Sequence, residues 1–293
     1  MGHTAFALEG GSAKQGWIAI KKEANNISPA VKTYLDIASS FIEGLYRLWG
    51  AEAASSRLMC ALIQFHASGR KGLDGPLSEI LDHLDRVPYS SYDALAYVTN
   101  VSHLVYATTL LDSFLTDTSL FLFLLNPQSM GKNSQVSLRT LIQSASRNEA
   151  LTQAALNKAR EISYLPFPAR IQFFTDTFGL RIELTPDAVE ALTHYPSIRN
   201  TAVHDQGIYE IRLEEDGHVT SRQKTCAKHP THVSPDDVFK AIKAYEKVVG
   251  AVAQAVFFQV LKETGHPAVK HFIEGSGYKS SEAAAEGLRE ESV

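Results

Sequence analysis

The stretch VSHLVYATTLLDSFLTDTSLFLFLL, residues 101–125, decides what kind of protein this is, because it is long and apolar enough to be tested as a membrane span. It closes on the run Ser119–Leu125, yet it also carries His103, Asp112 and Asp117. A carboxylate at a bilayer centre costs about 2.5–3.5 kcal/mol on the insertion scale, and here there would be two. The stretch therefore reads as the buried central helix of a soluble protein with no membrane partner. That helix is predicted from about Ser91 to Leu125, where Asn126-Pro127 stops it.

Working outward toward the N-terminus, residues 77–84 form a short predicted helix after Gly75-Pro76. Before it, Ala51 to His66 reads as a helix ended by Gly69. Earlier still, Ser28 is placed as an N-cap and Pro29 suits the first helical position. Val31, Tyr34, Leu35, Phe41, Ile42, Leu45 and Leu48 then recur at helical spacing up to Gly50. Residues 1–25 are glycine-rich with two short apolar pieces, which fit a small hairpin or a loose arm equally well.

Toward the C-terminus, Gly131–Ser134 is a polar loop, and helices are predicted over 138–156 and 169–178. Thr185-Pro186-Asp187 is a strong helix start: a capping hydroxyl, proline at the first position and an acid in the first turn. This helix carries Val189, Leu192, Ile198 and Val203 and is terminated by Gly207, with Pro196 expected to kink or split it. The period then changes to two over 208–224, a hairpin turning at Asp216-Gly217. Ser234-Pro-Asp-Asp237 is a capping box opening a long amphipathic helix to about Glu263. Residues 266–293 are expected to be a tail, small and charged from Gly275 onward and disordered there.

The chain has 293 residues, 44% apolar and 20% charged, enough to bury a sizeable core. A net charge of −4 gives no global drive toward a polyanion, so any such partner needs a local patch. Lys132, Arg139, Arg147, Lys158, Arg160, Arg170 and Arg181 face only Glu149, Glu161 and Asp176 over 132–181, a local basic excess. Lys132, Arg139 and Arg170 are the candidates from it for tracking a nucleic-acid backbone. Cys60 and Cys226 are the only cysteines, which excludes a disulfide framework and suits a reducing, cytoplasmic compartment. The first fifteen residues lack the pattern of a secretory signal.

The segment that carries chemistry is Ser197-Ile-Arg199-Asn200-Thr-Ala-Val-His204-Asp-Gln-Gly207. Arginine supplies a fixed positive fork for phosphate, and histidine moves protons near neutral pH. Asn200 and His204 are four apart and share a helix face. Arginine–histidine spacing alone is weak, since this composition gives about half an occurrence by chance. Context favours this pair: the arginine is followed by asparagine, and the capped helix stops just past His204.

The arrangement resembles the HEPN superfamily, whose ribonuclease members carry arginine, a polar residue, a short variable stretch and histidine near the end of the third core helix. Leu110-Leu-Asp112-Ser-Phe114-Leu-Thr-Asp117 is similar to the family's helix of aromatic, acidic and leucine residues, and Ser234 to Glu263 fits its closing helix. The resemblance implies an all-α fold: a HEPN-like four-helix bundle over 88–265 with a hairpin insertion at 208–233, preceded by a helical extension over 26–87. It further implies a metal-independent endoribonuclease, without cofactor, in which the ribose 2′-hydroxyl attacks the adjacent phosphate. The products would be a 2′,3′-cyclic phosphate and a 5′-hydroxyl, and DNA would be inert. His204 would be general base or acid, Arg199 would neutralise the pentacovalent phosphate, and Asn200 would orient His204 or the phosphate. Asp112 either hydrogen-bonds the motif's arginine or is a polar break facing solvent. A homodimer with a composite active site is implied, as are a toxin or antiviral-defence role and an antitoxin or sensor partner. The alternative is a catalytically inactive module that binds RNA, a nucleotide or a partner protein, or serves as a scaffold.

Cys226, His229 and His232 are metal-capable at two-residue gaps, but a structural zinc site wants a fourth ligand, for which His218 is the candidate. Neither a phosphate-binding glycine loop nor a nucleophile elbow is present.

Overall fold

A computed structural model describes residues 27–67, 90–131, 144–204, 209–213, 219–223 and 233–275; over 59–67, 90–95, 97, 201–204, both strands and 275 it describes the backbone alone. The fold class is all-α. Helices α1 (Pro29–Ala67) and α2 (Ser90–Leu125) are followed by a 3-10 turn (Pro127–Met130), α3 (Arg147–Ser163), α4 (Phe167–Phe178) and α5 (Pro186–His204). Strands β1 (Tyr209–Leu213) and β2 (Val219–Gln223) pair antiparallel, with Tyr209 opposite Gln223 and Leu213 opposite Val219. Helices α6 (Pro235–Ala255) and α7 (Pro267–Gly275) follow, with a π-helical turn at Val256–Val260 between them.

The chain divides into two compact units that cut across the helices. One comprises Met1–Tyr46, Thr109–Thr193 and Lys243–Val293, the other Arg47–Thr108 and His194–Ile242. In the first unit the core forms around α2. Tyr34 of α1 is fully buried, stacks on Phe121 with centroids 4.9 Å apart and meets the edge of Phe257 at 5.2 Å. Its hydroxyl is 3.3 Å from the Thr118 hydroxyl, and burial pushes its ionisation far above the ordinary tyrosine range. Phe41 tilts against Phe114, and the Leu110 side chain lies so close to Gly44 that a Cβ there would stand 3.0 Å away. The first half of α1 is thus part of this core, not an extension set apart from it.

Phe123, Met130, Ala155 and Ile162 form a second apolar group, against which Phe173 and Phe178 pack. Two expected boundaries move here. Helix α3 starts at Arg147 because Ser146 caps it: the Ser146 hydroxyl accepts from Glu149 N at 3.2 Å while the Glu149 carboxylate accepts from Ala145 N. Helix α4 starts at Phe167 rather than at 169 and ends at Phe178 as expected, where Gly179, with a left-handed φ of 69°, permits the cap.

Three further expectations are corrected. Gly50 does not end a helix, since α1 runs through it. A mid-helix glycine costs about 1 kcal/mol, which the burial of Leu48 and the Trp49–Phe239 ring contact outweigh. Pro196 does not split α5, which is helical on both sides of it. Residues 267–275 are no tail: α7 buries Ala268, Val269 and Phe272 completely, and Phe272 meets the Phe257 ring at 6.0 Å. The predicted helix over 77–84 and the arm over 1–25 lie outside the described residues.

The apolar run of α2 is spent on this interior. Leu111, Phe114, Leu115, Leu122 and Phe123 are all buried, although by length and composition alone Val98–Leu125 could cross a membrane. At the start of α6 the capping box forms as read: Ser234 Oγ accepts from Asp237 N at 3.2 Å, and Asp237 Oδ2 accepts from Ser234 N at 2.9 Å. Further along, the Gln259 amide clasps the Arg181 backbone, accepting from its N–H and donating to its carbonyl, both at 2.9 Å.

Phe272→Ala should lower the unfolding free energy by about 3–5 kcal/mol in urea titrations, because α7 closes the core; a disordered tail would give no change. Glu246 of α6 is mostly buried, and desolvation lifts its carboxyl above the usual range against the hydrogen bond it accepts from Tyr46. Raised in the folded state, it contributes stability below its unfolded pKa that is lost as pH rises through the folded value. Glu246→Gln should remove that part of the pH dependence, measured as the difference in stability between wild type and variant across pH 4–7 (roughly the carboxylate range).

Candidate functional site

Helix α5 forms for local reasons that also fix its register. Pro186 occupies the first position, Asp187 sits in the first turn, and Thr185 Oγ1 accepts from Ala188 N at 3.4 Å. Its buried stripe is Ala188, Ala191, Leu192 and Tyr195, not the expected Val189, which is exposed. The C-terminal end of the helix then carries Arg199, Asn200 and, one turn beyond Asn200, His204, its final residue.

Arg199 is half-buried and Asn200 exposed. Arg199 Nη1 donates to Asn200 Oδ1 at 2.9 Å, a contact between neighbours that the sequence reading did not anticipate. Arg199 Nε is buried and has no hydrogen-bond partner among the described residues. No carboxylate there pairs with the guanidinium either, which distinguishes this arginine from an ordinary surface ion pair. A half-buried guanidinium without an acid is a suitable seat for a dianionic or monoanionic phosphate, since the fork remains charged and partly desolvated. His204 is placed by its backbone, four residues beyond Asn200 and so on the same helix face.

Asp112 does meet an arginine, but that arginine is Arg170 of α4. Arg170 Nη1 donates to Asp112 Oδ1 at 2.5 Å, Nε donates to the Leu165 carbonyl at 2.9 Å, and Nη2 donates to the Ser163 carbonyl. The guanidinium also lies over the Phe167 ring, 5.0 Å from its centroid. Arg170 is 4% exposed, so the expectation that it tracks an RNA backbone is overturned. Its charge is consumed in holding the α3–α4 turn onto α2, a use that counting basic residues along the sequence does not reveal. Lys132 and Arg139 lie outside the described residues, as do Cys226, His229, His232 and His218. Among the described residues no group of three metal-capable side chains occurs.

One polar cluster escaped the sequence reading. Glu52 of α1 is fully buried; its Oε1 accepts from Ser56 Oγ at 2.9 Å, and its Oε2 is bound by His103 Nδ1 of α2. The two partners are 51 residues apart, so no local pattern marks them. In the sequence His103 stands out only as a polar residue in an apolar run.

The chain matches no protein-family model, no curated protein and no solved structure. The functional reading therefore stands on the residues themselves.

Because Asp112 pairs with a buried guanidinium but is itself 45% exposed, Asp112→Ala should cost about 1–2 kcal/mol of stability in chemical denaturation, less than a fully buried pair would. A loss below about 0.5 kcal/mol, the scale of ordinary surface changes, would show the pair to be incidental.

Proposed function

We propose that this chain is a metal-independent endoribonuclease of HEPN type. The observation that carries the reading is the C-terminal end of α5: Arg199 and Asn200 joined by a hydrogen bond, Arg199 without an acid partner among the described residues, and His204 one turn beyond Asn200. An acid paired with Arg199 would have argued for a structural role; its absence there supports an anionic ligand instead.

In this proposal a phosphodiester binds against Arg199. His204 takes the proton from the ribose 2′-hydroxyl, and the 2′-oxygen forms its bond to phosphorus. The bond to the 5′-oxygen breaks, which leaves a 2′,3′-cyclic phosphate. Arg199 stabilises charge that develops on the phosphoryl oxygens, and Asn200 holds the guanidinium in place. No cofactor is required. Lys132 and Arg139 would hold the RNA backbone on either side. By resemblance alone we extend the proposal to a homodimer with a composite site, to a cytoplasmic toxin or antiviral effector, and to an antitoxin or sensor that restrains it.

Incubation of purified wild type with total RNA in the presence of chelator should give fragments with cyclic phosphate ends. His204→Ala should cut the rate by about 10²–10⁴-fold, and Arg199→Ala by about 10²–10³-fold. Binding of RNA without cleavage by folded wild type would instead identify an inactive binding module.

A further inference from the structure

We infer that the exposed side of the α1–α2 pair in the second unit is where a second copy of this chain docks. The inference does not depend on the ribonuclease reading. The α1 half of this surface precedes residue 88, outside the part of the chain that resembles the HEPN superfamily.

Apart from Tyr164, the most exposed large apolar side chains among the described residues are Leu58, Val98 and Tyr106, at 59%, 56% and 51%. All three belong to the second unit, as do the residues that fix where they stand. Glu52 of α1 is bound by His103 of α2, so these two face each other across the pair. Three residues before each, Trp49 meets the Phe239 ring and Asn100 donates to the Val233 carbonyl. Phe239 and Val233 are six residues apart at the entry to α6, about 9 Å at 1.5 Å per residue. Antiparallel helices separate Trp49 and Asn100 by that distance, whereas parallel ones would bring them level. Helices α1 and α2 are therefore antiparallel here, and α6 covers the side on which Trp49 and Asn100 lie.

At about 100° per residue, Trp49 and Asn100 each stand about 60° to one side of the line from Glu52 to His103. Ala51, Ala54 and Leu58 of α1 stand about 60–160° to the other side, and so do Val98, Ser102 and Tyr106 of α2. In an antiparallel pair the same sense of rotation leads to the same face. All six are exposed and none is charged. Ala51, Ala54 and Ser102 are small enough for another helix pair to come close. A contiguous apolar face of this kind marks an interaction site.

Its extent points to a second copy. Helix α1 continues from Gly50 to Ala67 and α2 runs from Ser90 to Tyr106, about 25 Å each. Two helices side by side, each about 10 Å across, give roughly 500 Å² on one protomer. A matched pair of such faces buries roughly 1,000 Å², the area that a specific interface needs. Leu58 lies near the middle of the first stretch and Val98 at the middle of the second. A two-fold axis through that level sets each of them against its own copy, with the most exposed apolar groups at the centre. Arg47 and Arg57, both exposed, fall at the end and the flank, where a polar rim belongs.

The test is sedimentation equilibrium of the full chain over roughly 1–100 μM, where an interface of modest affinity associates. We expect a dimer. Leu58→Glu should raise its dissociation constant about 10²-fold or more, because each substitution is felt twice across the axis. Val98→Glu should do the same, and decides the matter should circular dichroism show Leu58→Glu unfolded. Leu58→Met, which keeps the apolar surface, should leave the dimer intact. A wild-type dimer indifferent to both charged variants associates through another face and overturns the proposal. A wild type that stays monomeric throughout also overturns it, and leaves the face to a different protein or a lipid surface.

Discussion

Helix α2 is apolar on nearly every side, and a helix of that kind must be covered all round. The first unit answers much of that demand, although Leu124 and Leu125 at the end of α2 stay exposed. Tyr34 and Phe41 cover it from α1, Phe173 and Phe178 reach Phe123 from α4, and Phe257 closes over Tyr34. Tyr34 and Tyr245 are both wholly buried, and aromatic groups of that size dominate core energetics. The same helix carries Asp112 and His103, the polar residues that first argued against a membrane span. Each has a partner drawn from another helix, Arg170 of α4 for Asp112 and Glu52 of α1 for His103.

Those two pairs differ in what they leave unspent. Arg170 donates to a carboxylate and two carbonyls and stacks on Phe167, so each of its three guanidinium nitrogens is engaged. It is a structural tie. Glu52 is equally saturated, but its histidine retains a ring nitrogen without a partner among the described residues. Arg199 shows the same incompleteness, with one hydrogen bond to Asn200 and a buried Nε left over. Buried or half-buried polar groups with capacity to spare are where binding and catalysis are sought.

The sequence made the site's motif legible because Arg199, Asn200 and His204 lie in six consecutive residues of one capped helix. Helix starts were read well for the same reason: Ser234 with Asp237, and Thr185 with Pro186, are local signals that act locally. Helix ends were read less well. Gly50 and Pro196 weaken a helix by amounts that burial of neighbouring side chains can offset, so neither terminated one. Helix α7 was missed because three buried side chains, Ala268, Val269 and Phe272, are too few to stand out in a polar segment. Arg170 was misassigned to the surface because charge counted along a chain carries no burial. Glu52 and His103 were invisible, since only folding brings positions 52 and 103 together.

In the proposed reaction the nucleophile is the substrate's own 2′-hydroxyl, and the protein would contribute Arg199 and His204 without a metal. This is tested most directly with one RNA oligonucleotide carrying a single 2′-deoxy nucleotide at a mapped cleavage position, incubated with wild type in chelator. The account predicts that cutting vanishes at that linkage while unmodified linkages elsewhere in the strand are still cut. Continued cleavage at the deoxy position would contradict it, because the attacking oxygen would then have to come from water.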